Sequence, residues 1–265
     1  MMIVDAHCHV SPHWFEPVES LLFQMDRNGV GCAVLVEDWL HTSHEYHRDC
    51  LARFPGRFAW VAAMEVAPPD APETLMRLAE MGACGVRLRQ STRSPGDDPL
   101  AVWRTAARLG LSVSCSGRNA CYASTKFLDL VQALPDLPIV IEHLGSGNFP
   151  EAEPLPPDAR RNIFDLARFP NVYLKIHGLG EFCPRAVPAT QPFPFAQPIP
   201  PLLDLACEAF GTERMMWGSD YPPVSAREGY ANALRFTLEQ LAARSRRDKE
   251  LIFGGTARRL YRFRE

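Results

Sequence analysis

The sequence predicts an α/β chain of the (β/α)8 class, a TIM barrel built as one domain over residues 1–265. Eight short apolar runs of strand character alternate with eight amphipathic, helix-like stretches, an order that calls for parallel strands joined by crossovers. Several helix-like stretches end at the Gly or Pro that stops a helix. The length suits one barrel of roughly 250 residues, and eight units favour a closed barrel over an open sheet.

In chain order the strand-like runs are 3–9, 32–38, 58–65, 85–89, 111–116, 138–144, 172–178 and 215–220. The helix-like stretches are 17–28, 43–54, 71–81, 98–109, 124–134, 157–168, 200–210 and 227–243, with Gly29, Pro55, Gly82, Gly110 and Gly211 standing at their ends. The stretch 246–263 reads as one more helix, packed on the outside. Two proline-rich connections, 145–158 and 180–201, follow strands six and seven and so sit over the C-terminal mouth. The second reads as a lid or substrate wall, the alternative being a stiff spacer of polyproline type.

A net charge of −3 with scattered basic residues argues against a nucleic-acid or membrane partner and leaves a small-molecule substrate. The start MMIVDAHCHV has no leader pattern, and no apolar run reaches membrane-spanning length. Eight cysteines without a CxxC pair read as reduced thiols packed as small hydrophobes. The expected location is cytoplasmic.

Strand alternation places His7 and His9 of VDAHCH on one face, inward if Val4, Ala6 and Cys8 meet the surrounding helices. Two imidazoles inside a barrel need something to receive their lone pairs, either a divalent metal or core hydrogen bonds. The same alternation turns Ile139, Ile141 and His143 of PIVIEHLG inward, with Met216, Gly218 and Asp220 of MMWGSDYP. His7, His9, His143 and Asp220, candidate ligands or proton carriers, thus converge on one rim from strands one, six and eight.

In GVRLRQ, Arg87 and Arg89 lie opposite Val86 and Leu88. Arg87, the deeper, either contacts substrate or pairs with an internal acid such as Asp5, and Arg89 at the rim is the better substrate ligand. Strand five turns Ser112, Ser114 and Ser116 inward and is followed by Arg118, a second candidate for binding an anion. Strand seven contributes Tyr173, Lys175 and His177; Lys175 lies too deep to touch substrate, whereas His177 reaches the rim. Tyr221 completes the candidate substrate contacts. With arginines on strand four and no imidazole on strand five, a two-metal site bridged by a carboxylated lysine is not expected. His41, His44 and His47 read as solvated helix histidines, His41 being the one placed to reach the mouth.

IVDAHCHV, GVRLR, PIVIEHLG, NVYLKI, MMWGSDYPP and GGTARRLY follow one another from residue 3 to 261. Together they resemble the amidohydrolase-related metal-dependent hydrolases of TIM-barrel fold, particularly the branch of small lactonases. The resemblance implies a mononuclear or metal-free site with His7, His9, His143 and Asp220 in the functional positions, and zinc where a metal is bound. It implies action on sugar-acid or aromatic-degradation lactones. Related decarboxylases use a histidine at the end of strand five, where this chain has Ser114 to Ser116, and the lactonase branch more often has a serine where this chain has His177.

The expected reaction is hydrolysis of a lactone or other ester of a small, anionic, oxygen-rich metabolite. Metal or histidine polarises the carbonyl, Asp220 takes a proton from water and returns it to the leaving oxygen, and Arg89 with Arg118 holds a carboxylate. Non-oxidative decarboxylation, amide hydrolysis and non-catalytic metabolite binding stay open as alternatives.

Overall fold

A computed structural model describes residues 1–40, 42–145, 161–183, 185–186, 188, 195–196 and 198–263. Its parallel sheet has eight strands in chain order: β1 (Ile3–Cys8), β2 (Val30–Val36), β3 (Phe58–Ala63), β4 (Gly85–Arg89), β5 (Ser112–Ser116), β6 (Ile139–Ile141), β7 (Val172–Ile176) and β8 (Met215–Trp217). Helices Val18–Arg27, His44–Arg53, Ala71–Met81, Ala101–Arg108, Thr125–Ala133 and Leu202–Phe210 fill the crossovers, and Tyr230–Gln240 follows β8. In the sixth crossover the described part is Arg161–Phe164 with a 3-10 turn, Asp165–Arg168. The (β/α)8 barrel is therefore the fold. Among the described residues no helix is long and apolar enough to cross a membrane.

Six strands are shorter than the apolar runs that predict them, while β4 matches its run and β2 lies two residues earlier. β6, β7 and β8 leave the ladder at Ile141, Ile176 and Trp217, and the remaining residues of each run turn into the mouth.

Alternation sorts the strand residues into two packed layers. Leu35, Trp60, Leu88, Cys115, Leu174 and Trp217 face the helices. Val4, Ala6, Val34, Val61, Val140 and Met216 form the interior cluster. Two parities differ from expectation. Val4 and Ala6 belong to the interior, because β1 carries one extra residue: Asp5 pairs with Ala33 but Cys8 pairs with Leu35. Such a bulge turns two successive side chains to one face. Ala6 and His7 both face inward, and Cys8 alone returns to the helix side.

In β6 it is Ile139 and Ile141 that pack against the helices, while Val140 is interior. The acid that follows, Glu142, is also interior, because Leu, Val and Ile give no sign of which alternate set is buried when both faces of a strand are covered.

The C-terminal segment also differs from the expected outer helix. It runs as Arg246–Glu250, a π-helical turn Leu251–Gly255 and Thr256–Leu260, and brings Ala257 and Tyr261 into the interior cluster. Tyr261 lies with its ring centre 5.6 Å from Lys175 Nζ, so this segment seals the barrel beneath the polar interior.

That interior is held by charge. Arg87 Nε donates to Glu142 Oε1 at 3.0 Å and Nη2 to Oε2 at 2.9 Å, while Nη1 donates to the Glu37 carbonyl at 3.2 Å. Ser114 Oγ donates to Glu142 Oε1 at 2.7 Å and receives Lys175 Nζ at 3.1 Å. Asp5, the partner expected for Arg87, is instead bound to Ser219. Burial opposes ionisation of Glu142, but the Arg87 guanidinium overrides it and holds the carboxyl at about 2, below the ordinary 4.5.

A folded-state pKa below the unfolded one means that this carboxylate stabilises the fold above about pH 4.5, and that the contribution fades as pH falls toward 2. Glu142→Gln strands a buried guanidinium and is expected to cost about 3–5 kcal/mol at neutral pH. Urea melts at neutral and acid pH check both statements: the variant loses less stability than the parent on acidification. Equal stability of the two proteins at neutral pH would show the pair to be dispensable.

Candidate functional site

The site forms where the barrel closes. β1 and β8 are joined past their ends by Asp220 N donating to His7 O at 2.8 Å and His9 N donating to Tyr221 O at 2.7 Å. The buried Asp5 carboxylate reinforces this seam, accepting from His7 N at 3.2 Å, Ser219 N at 2.8 Å and Ser219 Oγ at 2.6 Å. Gly218 lets the strands approach: a Cβ there would sit 2.7 Å from His7 Cβ. Burial pushes the Asp5 carboxyl up to about 6, against its hydrogen bonds.

The non-glycine residues with positive φ among those described are His143 (53°), Leu144 (46°) and Asp220 (60°). Side chains resist this region, and residues kept there cluster at functional positions. Two of these three are candidate site residues. The reversal at His143 is what brings its ring to the centre although β6 has the parity opposite to that expected. His177 follows β7 in unbroken alternation with Tyr173 and Lys175.

His7, His143, His177 and Asp220, all buried, each bring one ligand atom into a group in which all lie within 4.8 Å of one another. The His7 ring lies 4.3 Å from His177 and 5.3 Å from His143. His7 Nε2, His177 Nε2 and Asp220 Oδ1 are buried without a hydrogen-bond partner. Leaving such atoms unsatisfied costs about 1–3 kcal/mol each. Three imidazoles and one carboxylate suit a borderline-soft divalent ion such as zinc, so the residues fit a mononuclear metal. His9 stands beside this group: its Nδ1 donates to Val36 O at 2.6 Å, and its Nε2 is 3.6 Å from Asp220 Oδ1.

The electrostatics divide the histidines. Burial lowers His7 and His177 well below the usual histidine value, with neighbouring His177 or His143 and Lys175 adding to the shift. Burial also acts to lower His143, but the Glu181 and Asp220 carboxylates outweigh it and raise this group. Asp220 is held well below the usual range against burial by His143, His9 and Arg227. Lys175, 3.2 Å from His7 Nδ1, is brought down to about 8, chiefly by burial.

Two residues of the centre have no place among the sequence expectations. Glu181 Oε1 is 2.7 Å from His143 Nδ1, and Arg227 Nη2 donates to Asp220 Oδ2 at 2.9 Å. Both come from loops, where alternation carries no signal. A buried acid such as Asp220 calls for a cation, and Arg227 lies seven residues on in the same loop, a cue too weak to act on alone.

The remaining expectations separate. Arg87 spends its donors on Glu142 and Glu37, as an anchor beneath the mouth. Arg89 is exposed, its guanidinium 5.0 Å from the Trp39 ring centre, and Arg118 is exposed beyond the neighbouring β5. Tyr221 is turned away, joining the helix-side cluster with its ring 5.9 Å from that of Tyr230. Its backbone, not its side chain, serves the seam.

His47 is buried and His44 is 30% exposed, and both are bound to an acid rather than to solvent alone. They place Nδ1 atoms 2.9 Å and 3.2 Å from the buried Glu37 carboxylate, which also accepts from Ser43 N and Ala63 N. Burial opposes ionisation, yet the two histidines hold Glu37 at about 2. His41, residues 146–158 of the first proline-rich connection, and residues 184, 187, 189–194 and 197 of the second, 180–201, lie outside the described residues.

The amidohydrolase family profile matches residues 4–263. No curated protein matches the chain. Among solved structures, an amidohydrolase from Burkholderia multivorans with bound zinc is 20% identical with a TM-score of 0.74, covering 98% of this chain and 99% of its own. A Pseudomonas putida protein provisionally assigned as a 2-pyrone-4,6-dicarboxylic acid hydrolase is 24% identical with a TM-score of 0.72, covering 98% and 97%. The 5-carboxyvanillate decarboxylase of Sphingomonas paucimobilis is 16% identical with a TM-score of 0.64, covering 99% of each chain.

The geometry makes His177 rather than His9 the third imidazole of the group. Zinc titration against a chromophoric chelator is expected to show one site, weakened by His177→Ser beyond the ~10–100-fold typical of losing an outer partner. His9→Ala should weaken it less. The reverse ranking would return His9 to the ligand set.

Proposed function

Because the chain belongs to the amidohydrolase family, we propose that it is a metal-dependent hydrolase opening a lactone or other carboxylic ester of a small anionic metabolite. The observation that carries this reading is the buried meeting of His7, His143, His177 and Asp220, with polar atoms left unsatisfied in its midst. The residue set named from sequence, His7, His9, His143 and Asp220, enters the proposal with His177 added and His9 at the border.

A divalent ion at this position supplies Lewis acidity toward a carbonyl and makes water more acidic. Asp220, kept ionised by its cationic surroundings, receives a proton from the attacking water through Oδ1 and passes it to the leaving oxygen. His143, backed by the Glu181 carboxylate, would hold the ion together with His7 and His177. At the mouth, Arg89 and Arg118 stand at the ends of adjacent strands, and a guanidinium fork matches a planar carboxylate. The Arg87 and Arg89 guanidinium groups both lie over the Trp39 ring, 4.3 Å and 5.0 Å from its centre.

Resemblance in fold to a dicarboxylic acid hydrolase supports this reading, and resemblance to a decarboxylase marks the chemistry to be separated from it. A panel of lactones and esters followed by proton release is expected to reveal turnover without carbon dioxide. Carbon dioxide release with no ring opening would replace the proposal with decarboxylation.

Asp220→Asn should reduce kcat by at least ~100-fold with the fold preserved, since general-base catalysis is usually worth that much. More than a tenth of parental turnover would remove Asp220 from this role. Arg89→Lys should lower kcat/KM for an anionic substrate by roughly 10- to 100-fold while sparing its neutral methyl ester. An equal loss on both would make Arg89 structural.

A further inference from the structure

The centre is spanned by a bridge of two side chains outside its group of four, Glu181 and Arg227. Glu181 lies in the turn after β7, and Arg227 in the loop after β8. Glu181 Oε1 is 2.7 Å from His143 Nδ1 and 3.3 Å from Arg227 Nη1. Arg227 Nη2 donates to Asp220 Oδ2 at 2.9 Å. The chain His143–Glu181–Arg227–Asp220 therefore ties together two members of the central group through charge-assisted bonds. Glu181 and Asp220 are buried, and Arg227 is 20% exposed.

We propose that Glu181 and Arg227 are positioning residues that set the donor atoms of His143 and Asp220, an inference resting on the reading that these two residues serve the centre. Each half follows from hydrogen-bond chemistry. A neutral imidazole that offers the Nε2 lone pair must carry its hydrogen on Nδ1, and that hydrogen needs an acceptor. Glu181 supplies one.

For Asp220, Arg227 engages Oδ2 and leaves Oδ1 toward His7 and His9, at 3.9 Å and 3.6 Å from their Nε2 atoms. The carboxylate is thereby made one-sided, offering a single oxygen to the centre. One guanidinium fork holds both acids in register, which a lysine ammonium, a point charge on a flexible stem, does not reproduce.

The bridge is itself fixed from behind. Glu228 Oε1 accepts from Gly180 N at 3.1 Å, and Glu228 Oε2 is 3.7 Å from Arg227 Nε. A Cβ at 178 or 180 would lie 2.2 Å from a Glu228 carboxylate oxygen, so the Glu228 side chain would have to shift to admit one. The turn carrying Glu181 is thus docked against the loop carrying Arg227.

The test uses the full chain labelled with nitrogen-15 in histidine, with no substrate, so its result is independent of which reaction is catalysed. At mildly alkaline pH, long-range proton–nitrogen correlation should show His143 of the parent as the Nδ1–H tautomer. Glu181→Ala should turn it to a mixture or to the Nε2–H form and weaken zinc binding about 10–100-fold in chelator competition. Glu181→Gln, nearly isosteric and still an acceptor, should keep the tautomer and restore most of the affinity. Arg227→Lys should retain the tautomer but bind zinc more weakly than the parent. The double variant Glu181→Ala with Arg227→Ala should lose less than the product of the two single losses, because both act through one bridge.

An unchanged His143 tautomer in a folded Glu181→Ala, checked by near-ultraviolet circular dichroism, overturns the proposal. So does zinc affinity equal to the parent's in both single variants. If Glu181→Ala fails to fold, Glu181→Gln decides: the Nε2–H tautomer there overturns the proposal. A parent that binds no zinc leaves the tautomer comparison to decide by itself, and would count against the hydrolase mechanism rather than against the bridge.

Discussion

The arrangement depends on one closed seam. A parallel barrel must bring its first and last strands together, and here they meet through the Asp5 carboxylate and two backbone bonds rather than through a long ladder. Asp5 reaches over His7 to hold both polar groups of Ser219, the residue before Asp220. The same contacts that complete the barrel therefore set two functional side chains side by side. The bulge in β1 and the positive φ of Asp220 are strained features, and the seam is the structure that holds them.

Below the seam the interior is polar to an unusual depth for a packed core. Arg87, Glu142, Ser114 and Lys175 run in a bonded file from the wall to His7. Arg87 and Glu142 are buried as an ion pair, and Lys175 is buried with hydrogen bonds to Ser114 and His7, the condition under which such groups are tolerated. Their cost is offset by mutual bonding, and their effect is a fixed field beneath the site. Burial, together with that field, lowers His7 and His177 well below the usual histidine value. At the upper side the acids Glu181 and Asp220 act oppositely on His143. One cluster of imidazoles thus contains members of different basicity.

The mouth is organised in a similar way. Glu37, gripped by two histidines and two backbone N–H groups, pins the end of β2 to β3 and to the helix His44–Arg53. The loop so anchored carries Trp39, and Trp39 carries the arginines of β4 on its ring. Histidines spaced three apart on a helix look like surface residues by sequence, and nothing local announces that a glutamate seven residues earlier is buried among them. Only the packing of helix on strand turns them into a clamp.

Much of the fold was legible because it rests on local periodicity. Strand-then-helix alternation and helix-ending glycines specify a barrel, and all eight strands and the main helices lie where the pattern puts them. His7, His143 and Asp220 were likewise readable, since chemistry at strand C-termini has one place to go. Parity was not. The bulge in β1 depends on pairing with β2, and β6 is apolar on both faces, so neither announces which side chains turn inward. Residues in loops, Glu181 and Arg227 above all, have no period to follow and come to the centre only when β7 and β8 are neighbours. The sequence by itself determined the barrel and the rim on which the chemistry sits. Tertiary structure alone decided that His177 joins the group, that His9 borders it, and that Arg87 is an anchor, because each outcome rests on contacts between strands distant in sequence.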